Sequence, residues 1–134
     1  MLAVCGIIRR KGRVLVCKRS SSMAFPGFWE PPTESLDENE TLEDALERVL
    51  FERLSVNPER MRSIGATDFP CEIAKEGGAL ADGSRLWGYE VELRRNYFHI
   101  YGYDDFRWIK PQHLKRLRIL KPHVILLTLG GLLP

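Results

Sequence analysis

Two arginines and a run of carboxylates crowd residues 34 to 53, and their types set the chemistry open to that stretch. Glu40 and Glu52 offer oxygen donors of the kind a hard divalent cation prefers. Arg48 and Arg53 carry planar guanidinium groups that meet a carboxylate or a phosphate through forked, charge-assisted hydrogen bonds. Arg48 precedes Glu52 by four residues, and Asp44 precedes Arg48 by the same interval, so these residues equally suit a solvated ion-pair ladder on a helix. Elsewhere, Lys115, Arg116, Arg118 and Lys121 form a basic cluster that fits nucleic-acid phosphates or a wet helix face. Phe28, Trp87, Tyr97 and Tyr101 suit either base stacking or sheet core. His99, His113 and His123 have no spacing that suggests zinc.

The elements that must position these groups follow from periodicity. Leu42, Ala45, Leu46, Val49, Leu50 and Leu54 make a stripe of helical period with Thr41 as N-cap, which predicts a helix over 42–54. Upstream, Ala3 to Arg9 and Val14 to Lys18 are β-branched runs separated by Lys11-Gly12-Arg13, the pattern of a hairpin. Residues 20 to 40 read as loop with one short strand around Trp29. Ser63 to Phe69 and Leu86 to Leu93 read as strands joined by a loop with Gly77, Gly78 and Gly83. Tyr97 to Tyr101 and Phe106 to Ile109 add two more. Pro111 to Leu117 and Pro122 to Leu129 read as closing helices with proline near each start. Strands around one central helix, with helices at the end, imply an α/β fold: a mixed sheet covered on both faces.

Trp29-Glu30-Pro31-Pro32, Glu40, Arg48, Leu50, Glu52 and Val56 together resemble the signature of the Nudix hydrolases, MutT-like members in particular. The family pattern is G-x5-E-x7-R-E-U-x-E-E-x-G-U, with U a bulky aliphatic. Without gaps, its fixed positions fall on Glu34, Glu40, Arg48, Val49, Leu50, Glu52, Arg53, Ser55 and Val56. The box is thus degenerate: both glycines, the Glu after the Arg and the second Glu of the final pair are replaced. The resemblance implies a Nudix-type α/β/α sandwich and a pyrophosphohydrolase acting on a nucleoside diphosphate derivative with Mg²⁺ or Mn²⁺.

In that frame Glu52, Glu40 and Arg48 are the catalytic candidates. Glu52 and Glu40 hold whatever metal remains, and Arg48 orients one of them. Arg53, Glu34 and Trp29 are the substrate-binding candidates. The family's metal-binding face falls on Val49, Glu52 and Arg53, whose formal charges sum to zero, so weak or absent metal binding is expected. Glu34, Asp37, Glu38, Glu40, Glu43 and Glu47 are acids that could rebuild a displaced metal site with Glu52, and Asp104 or Asp105 could stand as general base. Glu34 in place of a glycine of positive φ would cost strain, so the loop path is expected to differ from that of an active enzyme. Two readings stay open: a hydrolase of low, altered or lost metal-dependent activity, or a non-catalytic module binding a nucleotide, RNA or protein without a cofactor.

Length and composition are consistent with this. The 134 residues make one domain, 1–134, and a formal net charge of +2 gives electrostatics no strong preference for nucleic acid or membrane. Cys5, Cys17 and Cys71 lack paired spacing and read as buried thiols of a cytoplasmic protein. The apolar stretch Val124 to Leu133 is shorter than the ~20 residues of a membrane span.

Overall fold

The computed structural model describes residues 2–68, 85–95 and 98–134. Its organising element is β1 (Leu2–Arg10), whose residues Ala3 to Ile8 are all buried, as in a strand covered on both faces. β2 (Arg13–Arg19) turns back from it, with Arg9 opposite Val14 and Arg10 opposite Arg13. β3 (Trp29–Glu30) extends β2, and β4 (Thr33–Ser35) pairs with the start of β1, Val4 opposite Glu34. After helix α1 (Leu42–Leu54) come β5 (Pro58–Asp68), β6 (Arg85–Leu93) and β7 (Tyr103–Ile109). β6 runs parallel to β1 from Leu2↔Arg85 to Ile8↔Val91, β5 is antiparallel to β6, and β7 is antiparallel to β2. The sheet is therefore mixed, in the order β3-β2-β1-β6-β5.

Successive side chains of β1 face opposite layers, as the strand period of two requires. Val4 and Ile8 join α1's Ala45, Leu46, Val49, Leu50 and Leu54 in one core cluster. Ile7 joins Val14, Val16, Trp29 and Leu127 in a second, under helix α2 (Lys121–Leu129). Helices thus cover both faces of the sheet, giving the α/β/α arrangement. Burial of the five apolar residues of α1 contributes on the order of 10 kcal/mol before chain entropy is subtracted.

Helix α1 spans the predicted 42–54, and Thr41 caps it by accepting the Asp44 N–H at 3.1 Å. Other elements depart from expectation. β5 begins at Pro58, five residues before Ser63, because its polar first half pairs edge-on with β6 rather than burying a face. Phe69, Cys71 and the loop with Gly77, Gly78 and Gly83 lie outside the described residues, as does Tyr97. Phe98 to Tyr101 is not strand: Phe98 and Ile100 pack on the α1 cluster, and the Tyr101 N–H satisfies the Arg53 carbonyl at the end of α1. The segment Pro111–Arg116 is a 3-10 helix; Leu114 is its one buried anchor, too little apolar surface to hold a longer α-helix. Among the described residues no helix is long and apolar enough to cross a membrane.

Candidate functional site

Docking of α1 against β4 brings Arg48 to the loop before the helix. Its guanidinium makes a two-pronged contact with Glu40, Nε to Oε2 at 2.9 Å and Nη2 to Oε1 at 3.0 Å, and Nη2 also donates to the Ser35 carbonyl at 2.8 Å. Asp37 and Glu52 stand farther off, each 3.5 Å away. Asp44 is not among these partners. Glu40 also accepts the Asp37 N–H at 2.6 Å. The hydrogen bond from Arg48 and then that backbone N–H hold the Glu40 carboxyl below its usual range. Arg48 and Glu40 thus clamp the loop to the helix, and both oxygens of Glu40 are already engaged. Glu52 is half exposed.

One turn further on, Arg53 meets Glu34 at 3.1 Å. Both side chains are largely covered, at 21% and 29% exposure. The guanidinium lies over the Tyr103 ring, 5.3 Å from its centroid. Gly102 makes room for it: a Cβ there would fall 1.8 Å from Nη1 of Arg53, and the φ of +80° also favours glycine. Glu34 is held in extended strand pairing, a backbone that a glutamate adopts without strain. A left-handed backbone appears instead at Ser55, the other lost glycine, with φ 55° and ψ 36° at the end of α1.

This donor set does not fit the family's metal centre. Val49 is fully buried in the core beside Leu46 and Leu50 and presents no ligand. Arg53 brings a cation where the pattern has an acid, and Glu34 is already neutralised by it. Glu43 accepts from the Tyr89 hydroxyl at 3.0 Å. Among the described residues, no three His, Cys, Asp or Glu side chains gather as a metal-binding set. Asp104 and Asp105 lie exposed on β7.

Behind the Arg53–Glu34 pair runs a buried polar chain that the sequence did not reveal. Glu30, 1% exposed, binds Arg19 at 2.7 Å and accepts the Tyr103 hydroxyl at 2.8 Å. That hydroxyl accepts the Thr33 N–H at 3.1 Å. Thr33 Oγ1 donates to the Pro31 carbonyl at 2.7 Å and lies 3.0 Å from His123 Nε2. With the one hydroxyl proton committed to Pro31, His123 must donate through Nε2, which leaves Nδ1 as a buried acceptor with no partner among the described residues. Burial holds the His123 pKa below its ordinary value and pushes that of Tyr103 well up. Trp29 points away from this chain into the second core cluster, under the Arg107 guanidinium at 4.7 Å. Tyr103, Gly102 and His123 had no motif to flag them; Glu30 was visible only as the second letter of Trp-Glu.

The remaining candidates are dispersed. Lys115, Arg116 and Arg118 are exposed, and Arg118 covers Phe28 at 4.4 Å. Tyr101 is exposed, whereas Trp87 is partly buried beside Arg85.

A family model described as the NUDIX domain matches residues 1–126. The nucleoside triphosphatase NudI of Escherichia fergusonii is 28% identical over 97% of this chain and 96% of its own length. The MutT NUDIX hydrolase of Burkholderia pseudomallei superposes with a TM-score of 0.79 at 20% identity, covering 95% of each chain. The NUDIX domain of Shewanella oneidensis NrtR, solved with ADP-ribose, superposes at 0.76 and 20% identity, over 98% of this chain and 86% of that one.

Proposed function

This chain belongs to the Nudix family, and we propose that it binds a nucleoside diphosphate or triphosphate derivative in the Nudix cleft without the family's metal-dependent hydrolysis. The observation that carries this reading is the Arg53–Glu34 pair, built from two positions where the family pattern has a glutamate and a glycine. Nudix hydrolases generally use divalent cations to neutralise pyrophosphate. Here Arg53 supplies positive charge directly. Its guanidinium has five N–H donors, and one holds Glu34. A phosphate can therefore engage the others, or displace Glu34, through charge-assisted hydrogen bonds. Glu34 keeps the guanidinium aimed when no ligand is bound, and Glu40 and Arg48 position the loop. Free, buried thiols at Cys5 and Cys17 accord with a cytoplasmic location.

A second reading has one observation in its favour. Glu52 is 53% exposed and only loosely paired, so it remains free to meet a cation in a residual hydrolase. The test is calorimetry with ADP-ribose in EDTA, alongside phosphate release from nucleoside triphosphates with Mg²⁺ or Mn²⁺. The proposal expects metal-free binding that weakens about tenfold to a hundredfold in Arg53→Ala, with no turnover. Metal-dependent turnover that disappears in Glu52→Gln would replace it with the second reading.

A further inference from the structure

The small net charge of the chain conceals an uneven distribution. Residues 106–134 hold Arg107, Lys110, Lys115, Arg116, Arg118 and Lys121 and not one Asp or Glu, so the net +2 combines +6 in this stretch with −4 in the rest. The fold brings part of that stretch against the short strand β3. The Trp29 N–H donates to the Arg118 carbonyl at 2.8 Å, the Arg118 guanidinium lies 4.4 Å from the Phe28 centroid, and that of Arg107 lies 4.7 Å from the Trp29 centroid. Both arginines are exposed, so each guanidinium has a ring on one side and solvent on the other. Among the described residues neither makes an ion pair, and neither do Lys115 and Arg116. Those two are also exposed, and they stand within three residues of Arg118, no more than about 11 Å from it along the chain. Of the nearby acids, Asp105 stands opposite Lys18 and accepts the Phe106 N–H at 2.8 Å, while Glu30 is buried and held by Arg19 and Tyr103.

We infer that this face binds single-stranded nucleic acid. A planar guanidinium held over a ring has little freedom left to lose, and its open side is a platform on which an unstacked base can lie. Arg107 and Arg118 supply two such platforms on neighbouring residues of β3, and Lys115 and Arg116 beside them meet the phosphates. A duplex keeps its bases stacked inside and would use the charge alone. A lipid surface would need an apolar wedge, but Phe28 and Trp29 lie beneath the guanidinium groups, and Trp29 is 7% exposed. An acidic peptide would meet the charge and leave the platforms unused. The surface is also separate from the Arg53 site. Arg107 stands opposite Val16 in the β2–β7 pairing, on the sheet face that carries Trp29 and α2, whereas Arg53 belongs to α1 on the other face.

The test is fluorescence anisotropy of short, labelled oligouridine RNA and oligothymidine DNA with the full chain in EDTA, over a range of salt concentrations. Wild type should bind one or both, the preferred strand showing which the face takes, with an affinity that falls as salt rises. Arg107→Glu with Arg118→Glu should weaken binding about thirtyfold or more. Arg60→Glu with Arg62→Glu, the same change in net charge at exposed positions on β5 at the other end of the sheet, should weaken it less than about threefold. Arg107→Lys with Arg118→Lys keeps the charge and removes the planes, so it should cost about fivefold to tenfold while the salt dependence stays as in wild type. All these side chains are exposed, so the variants test binding rather than folding. Absence of oligonucleotide binding, equal losses in the two glutamate variants, or wild-type affinity in the lysine variant would overturn the inference. Binding to phosphatidylserine vesicles without binding to either oligonucleotide would overturn it in favour of a membrane. Loss of binding in Arg53→Ala but not in Arg107→Glu with Arg118→Glu would put the strand in the Nudix cleft, overturning the inference while leaving the proposed function intact.

Discussion

Arg48 and Arg53 sit five residues apart on one helix, each bound to a glutamate from the chain before it, yet the two pairs stand differently against the Nudix pattern. Arg48 and Glu40 both match the Nudix pattern, and together they fasten the loop to α1 through a two-pronged contact and the Ser35 carbonyl. Arg53 and Glu34 both depart from the pattern, and each departure answers the other: the new cation meets the new acid at 3.1 Å. A lone acid-to-arginine change would leave a partly covered charge without its carboxylate, at a modest desolvation cost. Paired replacement removes that cost. The positions that match the pattern shape the loop, and a guanidinium stands where the pattern has a metal-binding acid.

The comparison can be broken most severely at Val49. If the helix face has been converted from metal binding to core, Val49→Glu should destabilise the fold by about 3 kcal/mol or more, because a carboxylate would enter a fully buried apolar cluster. Denaturant unfolding measures this, and near-wild-type stability would show that the position still reaches water. Next in size, Arg48→Ala should lower Tm by about 4–8 °C, whereas Arg53→Ala should lower it by less than half as much while removing ligand affinity. Equal thermal losses in the two variants would erase the division between a structural and a functional pair.

A third prediction concerns the buried chain behind Glu34. His123 is neutral in the fold, with its pKa held below the ordinary 6.5 by burial. The unfolded chain therefore binds the proton first as pH falls below about 6.5, and stability declines by at most about 1.4 kcal/mol per pH unit until the folded-state pKa is reached. Acid titration of Tm should show this decline in the wild type and a flatter profile in His123→Asn. The smallest effect is at Ser55, whose left-handed backbone would suit glycine: Ser55→Gly should raise stability by about 0.5–1 kcal/mol.

Local patterns carried much of this architecture. The stripe from Leu42 to Leu54 and the cap at Thr41 specify α1 because helical period and capping are short-range properties. The first hairpin was equally legible. The parallel pairing of β1 with β6 was not, since it joins segments more than 80 residues apart and depends on which faces the helices cover. The same distinction holds at the site. Glu40 and Arg48 could be read from a motif, but the bond from Arg53 to Glu34 exists only once β4 docks on α1. Of the two lost glycines, Glu34 takes an extended backbone through strand pairing with Val4, while the helix end places Ser55 in the left-handed region. No motif marks Tyr103 or His123, and their place in the polar chain comes from tertiary contacts alone.

The central claim is that a guanidinium has replaced metal in holding phosphate, and it is tested most directly by restoring the family residues at that pair. Glu34→Gly with Arg53→Glu should abolish metal-free ADP-ribose binding in calorimetry while the protein stays folded. Undiminished metal-free binding by the double variant would contradict the account, because the ligand would then be held without the pair on which it rests.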